Sequence, residues 1–240
     1  MFFSYTDFGE TLTLFSLQHI LSVLIFAVLP VIILLMFRKI ILKSKAEPAI
    51  RISLGVFGLL LEFGLYAWYI FSGGITDWRI VAPTTLCGLS IYLSSYAMIT
   101  LDKRISAVVY FYSFGAVLSF IVADTSFGYN RFRFYTYFII HGLIIVEAIY
   151  LRVIHRVKAD KKTFYSACLF LLPFLAGSIL FNQIFDMNLF YMKFPIFEDF
   201  PVFQQLYDLN WIYYSIAVFF TYYILMLIMY GIAKLAKMDK

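Results

Sequence analysis

Seven stretches of the chain, roughly 15–37, 50–71, 82–100, 105–123, 132–154, 164–185 and 210–233, are apolar for about the length of a membrane crossing. A helix rises 1.5 Å per residue, so about 20 apolar residues cover the ~30 Å hydrocarbon layer of a bilayer. Inside that layer every backbone N–H and C=O has to be paired, and an α-helix achieves this within one segment. Such runs, repeated along 240 residues, predict an all-α polytopic transmembrane bundle forming one domain over 1–240. A soluble globule is excluded by composition. Only 14% of the residues are charged, 63% are hydrophobic and the mean hydropathy is +0.88, whereas soluble domains are about a quarter charged. The fourth run is short and the third is rich in hydroxyls, so six crossings is the rival count.

Charge placement tests that count. With the N-terminus outside, all of the 19 Lys and Arg except Arg79, Arg131, Arg133 and Lys193 fall at inner ends. Asp7, Glu10, Asp77, Asp124, Asp186, Glu198, Asp199 and Asp208 fall outside. A wrong number of helices would scramble this separation, so the positive-inside rule favours seven helices, N-terminus outside and C-terminus cytoplasmic. It also accounts for the net charge of +5 without a nucleic-acid partner. There is no zinc-type cysteine spacing and no glycine-rich nucleotide loop, and no metal or organic cofactor is implied. Two cysteines in different spans do not define a disulfide. The first residues lack a basic segment, so a cleaved signal peptide is not expected. The longest stretch outside the helices, 186–209, mixes aromatics, two prolines and acids; it suits an interfacial flap or a merely tolerated loop.

Polar groups at membrane depth are costly and face the bundle interior. Counting from the outer boundary, His19 lies about 6 Å deep, Cys87 about 7 Å, Glu62 and His141 about 13 Å, and Asn182 about 5 Å. Five helices therefore contribute polar or reactive groups to the outer half, while Glu147 sits deeper. Each has a bland reading as well: a buried cysteine is commonly a small hydrophobe, and a histidine a helix–helix hydrogen-bond donor. Cys168 fits the bland case, His155 reads as a solvated loop residue, and Tyr66, Trp68, Trp78, Tyr135, Trp211 and Tyr213 read as interfacial belts. A thiol becomes nucleophilic when a neighbouring base takes its proton. Depth alone leaves His19 and His141 equal candidates.

Several short motifs sharpen the choice: His19 in FSLQHI, Glu62–x5–Trp68, Pro83–x3–Cys87, NRFRFYTYFIIHG ending in His141 and Gly142, and Asn182 with Asn188, Tyr191 and Pro195. Together the pattern resembles the YwaF-type bacterial integral membrane proteins, which are related to a eukaryotic transmembrane phospholipid acyltransferase family. The resemblance covers nearly the whole chain. It implies acyl transfer to lysophospholipids through an acylated cysteine, Cys87, assisted by His141. The segment APTTLC departs from the family pattern, lacking the histidine often found just before the cysteine.

The expectation is a lipid acyltransferase of the bacterial plasma membrane, open to the extracellular half, with a phospholipid or lysolipid as substrate. Cys87 and His141 would be catalytic, and His19, Asn182 and Glu62 supporting polar or oxyanion groups. Arg131 and Arg133 would hold a lipid phosphate. Gly88 and Gly142 would allow close helix approach. The rivals are a transporter or small-solute or lipid-binding protein with a non-catalytic polar cavity, and a non-catalytic assembly partner.

Overall fold

The computed structural model describes residues 2–5, 11–74, 85–123, 127–195 and 201–236. Trp78, Arg79 and Pro83 lie outside the described residues. Among those described, every regular element is helical. Helix α1 (Leu17–Val23) passes through a π turn (Leu24–Val28) into α2 (Leu29–Lys43), and α3 is Glu47–Phe71. Then come α4 (Leu86–Thr100), α5 (Lys103–Tyr112), α6 (Phe114–Ile121) and α7 (Phe132–Val153). Helix α8 is Lys161–Phe185, α9 the short Pro201–Leu209, and α10 Trp211–Leu235. Among the described residues six helical segments are long and apolar enough to cross a membrane, and the apolar α4, at 15 residues, is shorter. A seven-helix arrangement is compatible with this. The expected fourth span is broken at Ser113 into α5 and α6, and the Ser113 hydroxyl donates to the Tyr110 carbonyl at 2.7 Å.

Local chemistry sets several helix ends. Thr85 caps α4 by accepting the Gly88 N–H at 3.1 Å, and Asp102 caps α5 by accepting the N–H groups of Arg104 and Ile105. Asp160 and Asn210 do the same for α8 and α10. These side chains pair donors that the first helical turn leaves free.

The π turn has an equally local origin. Pro30 has no N–H to offer the carbonyl four residues earlier, and its ring crowds that carbonyl, which belongs to Phe26. The freed Phe26 carbonyl packs against Gly142 of α7. A Cβ built there would stand 2.0 Å from the oxygen. Only glycine admits this approach, as the sequence reading expected for Gly142. A second close seam joins α3 to α4, where a Cβ on Gly55 would lie 2.7 Å from the Ser95 carbonyl and one on Gly58 2.5 Å from its hydroxyl.

Burial separates centre from periphery. The apolar window of α7 is 78% buried and that of α5–α6 61%, against at most 22% for the other spanning candidates. Helix α7 touches α2, α3, α4, α5 and α6, while α8 and α10 pack on α5 from the far side. The outer helices turn large apolar side chains outward, among them Met36, Phe63, Leu169 and Leu227. A lipid-facing surface requires this pattern.

Candidate functional site

Two helices carry the residues of greatest interest, and their register fixes the geometry. Helices α4 and α7 run in the same direction, because the C-terminal ends of both are tied to the first turn of α3. Arg51 donates through Nη1 to the carbonyls of Met98 and Ile99, and Tyr150 donates its hydroxyl to Glu47 Oε1 at 3.0 Å. Farther along, Ser94 of α4 donates to Glu147 Oε2 of α7, a pairing offset by 53 positions. The same offset carried two turns toward the N-terminal ends places Cys87 level with Ile140, one residue short of His141. The thiol and the imidazole thus differ by about 1.5 Å along the bundle. Depths counted from span boundaries had separated them by about 6 Å.

His141 is buried, 9% exposed, and its Nδ1 lies 2.7 Å from the Tyr137 carbonyl. A carbonyl can only accept, so Nδ1 carries the proton and Nε2 keeps a free lone pair. The Tyr137 ring also packs against the imidazole at a tilt of 47°, with ring centres 4.3 Å apart.

The half-buried Cys87 turns toward α6. Its Sγ lies 3.8 Å from the Ser119 hydroxyl and packs against Gly115. The Ser119 carbonyl accepts the Tyr137 hydroxyl at 3.0 Å. A chain of contacts therefore runs from thiol to Ser119, to Tyr137, to His141. Among the described residues the thiol's hydrogen-bond neighbour is Ser119 rather than an imidazole.

Glu62 of α3 is buried, and Tyr66 of the same helix and Tyr92 of α4 stand near it. Arg133 points inward: Nε donates to the Tyr69 hydroxyl at 3.1 Å, and its guanidinium carbon stands 5.4 Å from the Tyr137 ring centre. Its charge reaches both Glu62 and His141. An anion entering beside the imidazole would find this cation already in place. Arg131 is buried, 7% exposed, with Nη1 donating to the Asn130 carbonyl at 3.2 Å.

The polar atoms of His19 and Asn182 are engaged by backbone groups. His19 adopts the opposite tautomer from His141: Nδ1 accepts the Phe15 N–H at 2.9 Å, and Nε2 donates to the Phe120 carbonyl at 3.0 Å. Nε2 thus joins α1 to α6, and Nδ1 holds the backbone just before α1. Asn182 is spent on the loop after α8, accepting the Leu189 N–H at 2.7 Å and donating to the Leu189 carbonyl at 3.2 Å. That loop is inserted in the bundle. Phe190 and Met192 are buried, and Tyr214, Ser215 and Tyr222 of α10 donate to its carbonyls.

Two expectations on the periphery need correcting. Trp68, read as an interfacial belt residue, is buried, and its Nε1 donates to the Phe3 carbonyl at 2.9 Å. The Phe2 carbonyl accepts the Phe132 N–H at 2.9 Å, so residues 2–5 form a strap across the ends of α3 and α7 above Arg133. His155, read as solvated, has Nε2 2.8 Å from Glu47 Oε1. Ser119 and Tyr137 were not singled out from the sequence. Tyr137 carried one signal, standing four residues before His141 and so one helical turn away.

A family model described as the TMEM164 family matches residues 14–230. No curated protein and no solved structure gives a significant match.

Proposed function

The chain belongs to the TMEM164 family of membrane proteins, and we propose that it is a membrane-embedded acyltransferase working through a cysteine thioester. The observation that carries this reading is the alignment of Cys87 with a His141 whose Nδ1 is held by a backbone carbonyl, leaving Nε2 free to take a proton.

In the proposed cycle the Cys87 side chain turns on lipid entry from Ser119 of α6 toward Nε2. His141 accepts the thiol proton, and the sulfur attacks the ester carbonyl of a phospholipid. The C–O bond breaks, the imidazolium returns its proton to the departing lysolipid oxygen, and the acyl chain stays on sulfur. An acceptor hydroxyl then gives its proton to His141 and attacks the thioester, which frees the thiol. Arg133 offers a positive group to the lipid phosphate. Glu62 and Tyr66 support the polar wall, His19 and Asn182 hold the framework, and Arg131 anchors the mouth. The basic ends face the cytoplasm by the positive-inside rule, which turns the site toward the outer half of a bacterial plasma membrane.

The test is mass spectrometry of the purified protein after incubation with a diacyl phospholipid. A hydroxylamine-labile acyl adduct on the Cys87 peptide is expected, absent in Cys87→Ser and slowed about 100-fold in His141→Ala, the lower range for loss of a general base. No adduct, or an adduct indifferent to His141→Ala, overturns the proposal. Transport is the second reading, favoured by the fully buried Glu147, whose Oε1 has no hydrogen-bond partner among the described residues. Function surviving Cys87→Ser but lost in Glu147→Gln would select it.

A further inference from the structure

The proposed cycle leaves the buried carboxyl of Glu147 unused. Glu147 lies on α7 with no exposed surface; one carboxyl oxygen meets Ser94 of α4 and the other has no hydrogen-bond partner among the described residues. An unpaired polar atom at full burial is costly, and an apolar side chain of similar size at such a place is often neutral or stabilising. Stability is therefore a poor reason for a carboxyl here. The best-attested use of a lone buried polar contact is to select one register among several that apolar packing would accept.

We infer that Glu147 is a positioning residue, whose bond to Ser94 fixes the axial register of α7 on α4 and thereby the level of His141 against Cys87. The spacings fit the role. Cys87 precedes Ser94 by seven residues, and His141 precedes Glu147 by six, so the reactive pair and the bonded pair are separated by nearly equal rises, about 10.5 Å along α4 and about 9 Å along α7. The neighbouring side chains, Ile91, Ile140, Leu143 and Ile144, are apolar and nondirectional. A slip of one turn would displace His141 by about 5.4 Å, beyond the reach of proton transfer. One turn nearer the basic end, the Arg51–Glu47–Tyr150 contacts bind α3 to the same two helices and oppose rotation of the pair.

This inference rests on the proposed Cys87–His141 chemistry, and its test separates the two. In a Cys168→Ser background, His141→Cys gives a thiol pair with Cys87 that methanethiosulfonate cross-linkers of graded span can measure in membranes. Glu147→Gln keeps volume and an acceptor for Ser94, and should leave the shortest effective span unchanged. Glu147→Leu and Ser94→Ala should each lower the yield with that reagent at least tenfold. Ser94 in the leucine variant retains the Ile91 carbonyl at 3.3 Å as a partner, so its hydroxyl is not orphaned. Ser94→Ala repeats the test with a smaller perturbation where the leucine variant does not fold. In the parent protein, acylation of Cys87 should fall at least tenfold in Glu147→Leu and recover in Glu147→Gln. Equal cross-linking yields in all variants overturn the inference. Shifted yields with no acylation in the parent uphold the register role and reject the acyltransferase reading instead.

Discussion

Replacing Gly142 with alanine is the sharpest test of how the first helix docks on α7. The added Cβ would stand 2.0 Å from the Phe26 carbonyl oxygen and 3.0 Å from its carbon, where ordinary contact begins at 3.4 Å. Both obstacles are backbone, so no side chain can rotate away, and the π turn and α7 have to part by roughly 1.4 Å. Overpacking of this kind costs about 1–3 kcal/mol, and a backbone obstacle places it at the upper end. Alanine recovers about 1 kcal/mol of helix propensity, leaving a net loss of about 2 kcal/mol. At roughly 2–4 °C per kcal/mol for a chain of this length, Tm in detergent should fall by about 4–8 °C. Gly177→Ala supplies the control, since nothing lies within 4 Å of its added Cβ. That variant keeps the propensity gain and should melt about 2–4 °C higher than the parent. If Gly142→Ala and Gly177→Ala melt together, the close carbonyl–glycine approach is wrong.

Two further outcomes follow from groups at the helix ends. The Thr163 N–H holds the Asp160 carboxyl below the ordinary aspartate value of 3.8, so its contribution is complete above that value and is lost as pH falls through the lower folded one. Asp160→Asn keeps the cap and should flatten the acid limb of a pH–stability curve, whereas Asp160→Ala should cost about 1 kcal/mol at neutral pH, read by thermal unfolding. Deleting residues 2–5 uncovers Trp68; in a background with Trp78 and Trp211 replaced by phenylalanine, acrylamide quenching of its fluorescence should rise severalfold while far-UV circular dichroism is unchanged.

Crossing number and helical class were legible because apolar runs of span length have few other solutions in a bilayer. The broken fourth span was less so: Ser113 is one hydroxyl in an apolar stretch, and its bond to the Tyr110 carbonyl appears only once the helix is built. Residue type gave the site's inventory, but tautomer and partner decided its roles. His19 and His141 are the same residue at similar burial, yet the Phe15 N–H makes one ring an acceptor at Nδ1 and the Tyr137 carbonyl makes the other a donor there. Asn182 looked like a free donor and is consumed by Leu189. Trp68 looked interfacial because it ends a span, and the strap that covers it comes from the N-terminal residues, 65 positions earlier.

Axial level was the quantity least accessible to sequence, and the reason is general. Depth counted from a hydropathy boundary assumes that all helices begin in one plane. Here α4 begins at Leu86 behind a Thr85 cap, while α7 begins at Phe132, where its first N–H is taken by the Phe2 carbonyl. These starts are set by local hydrogen bonds that have no common origin. A cross-helix pair avoids the assumption, because it measures one helix directly against the other. Ser94 with Glu147 brings Cys87 to within one residue of His141, and the Arg51 and Glu47 contacts confirm the common direction of the two helices. In an apolar bundle, where most contacts tolerate sliding, the few buried polar pairs therefore carry most of the information about which reactive groups can meet.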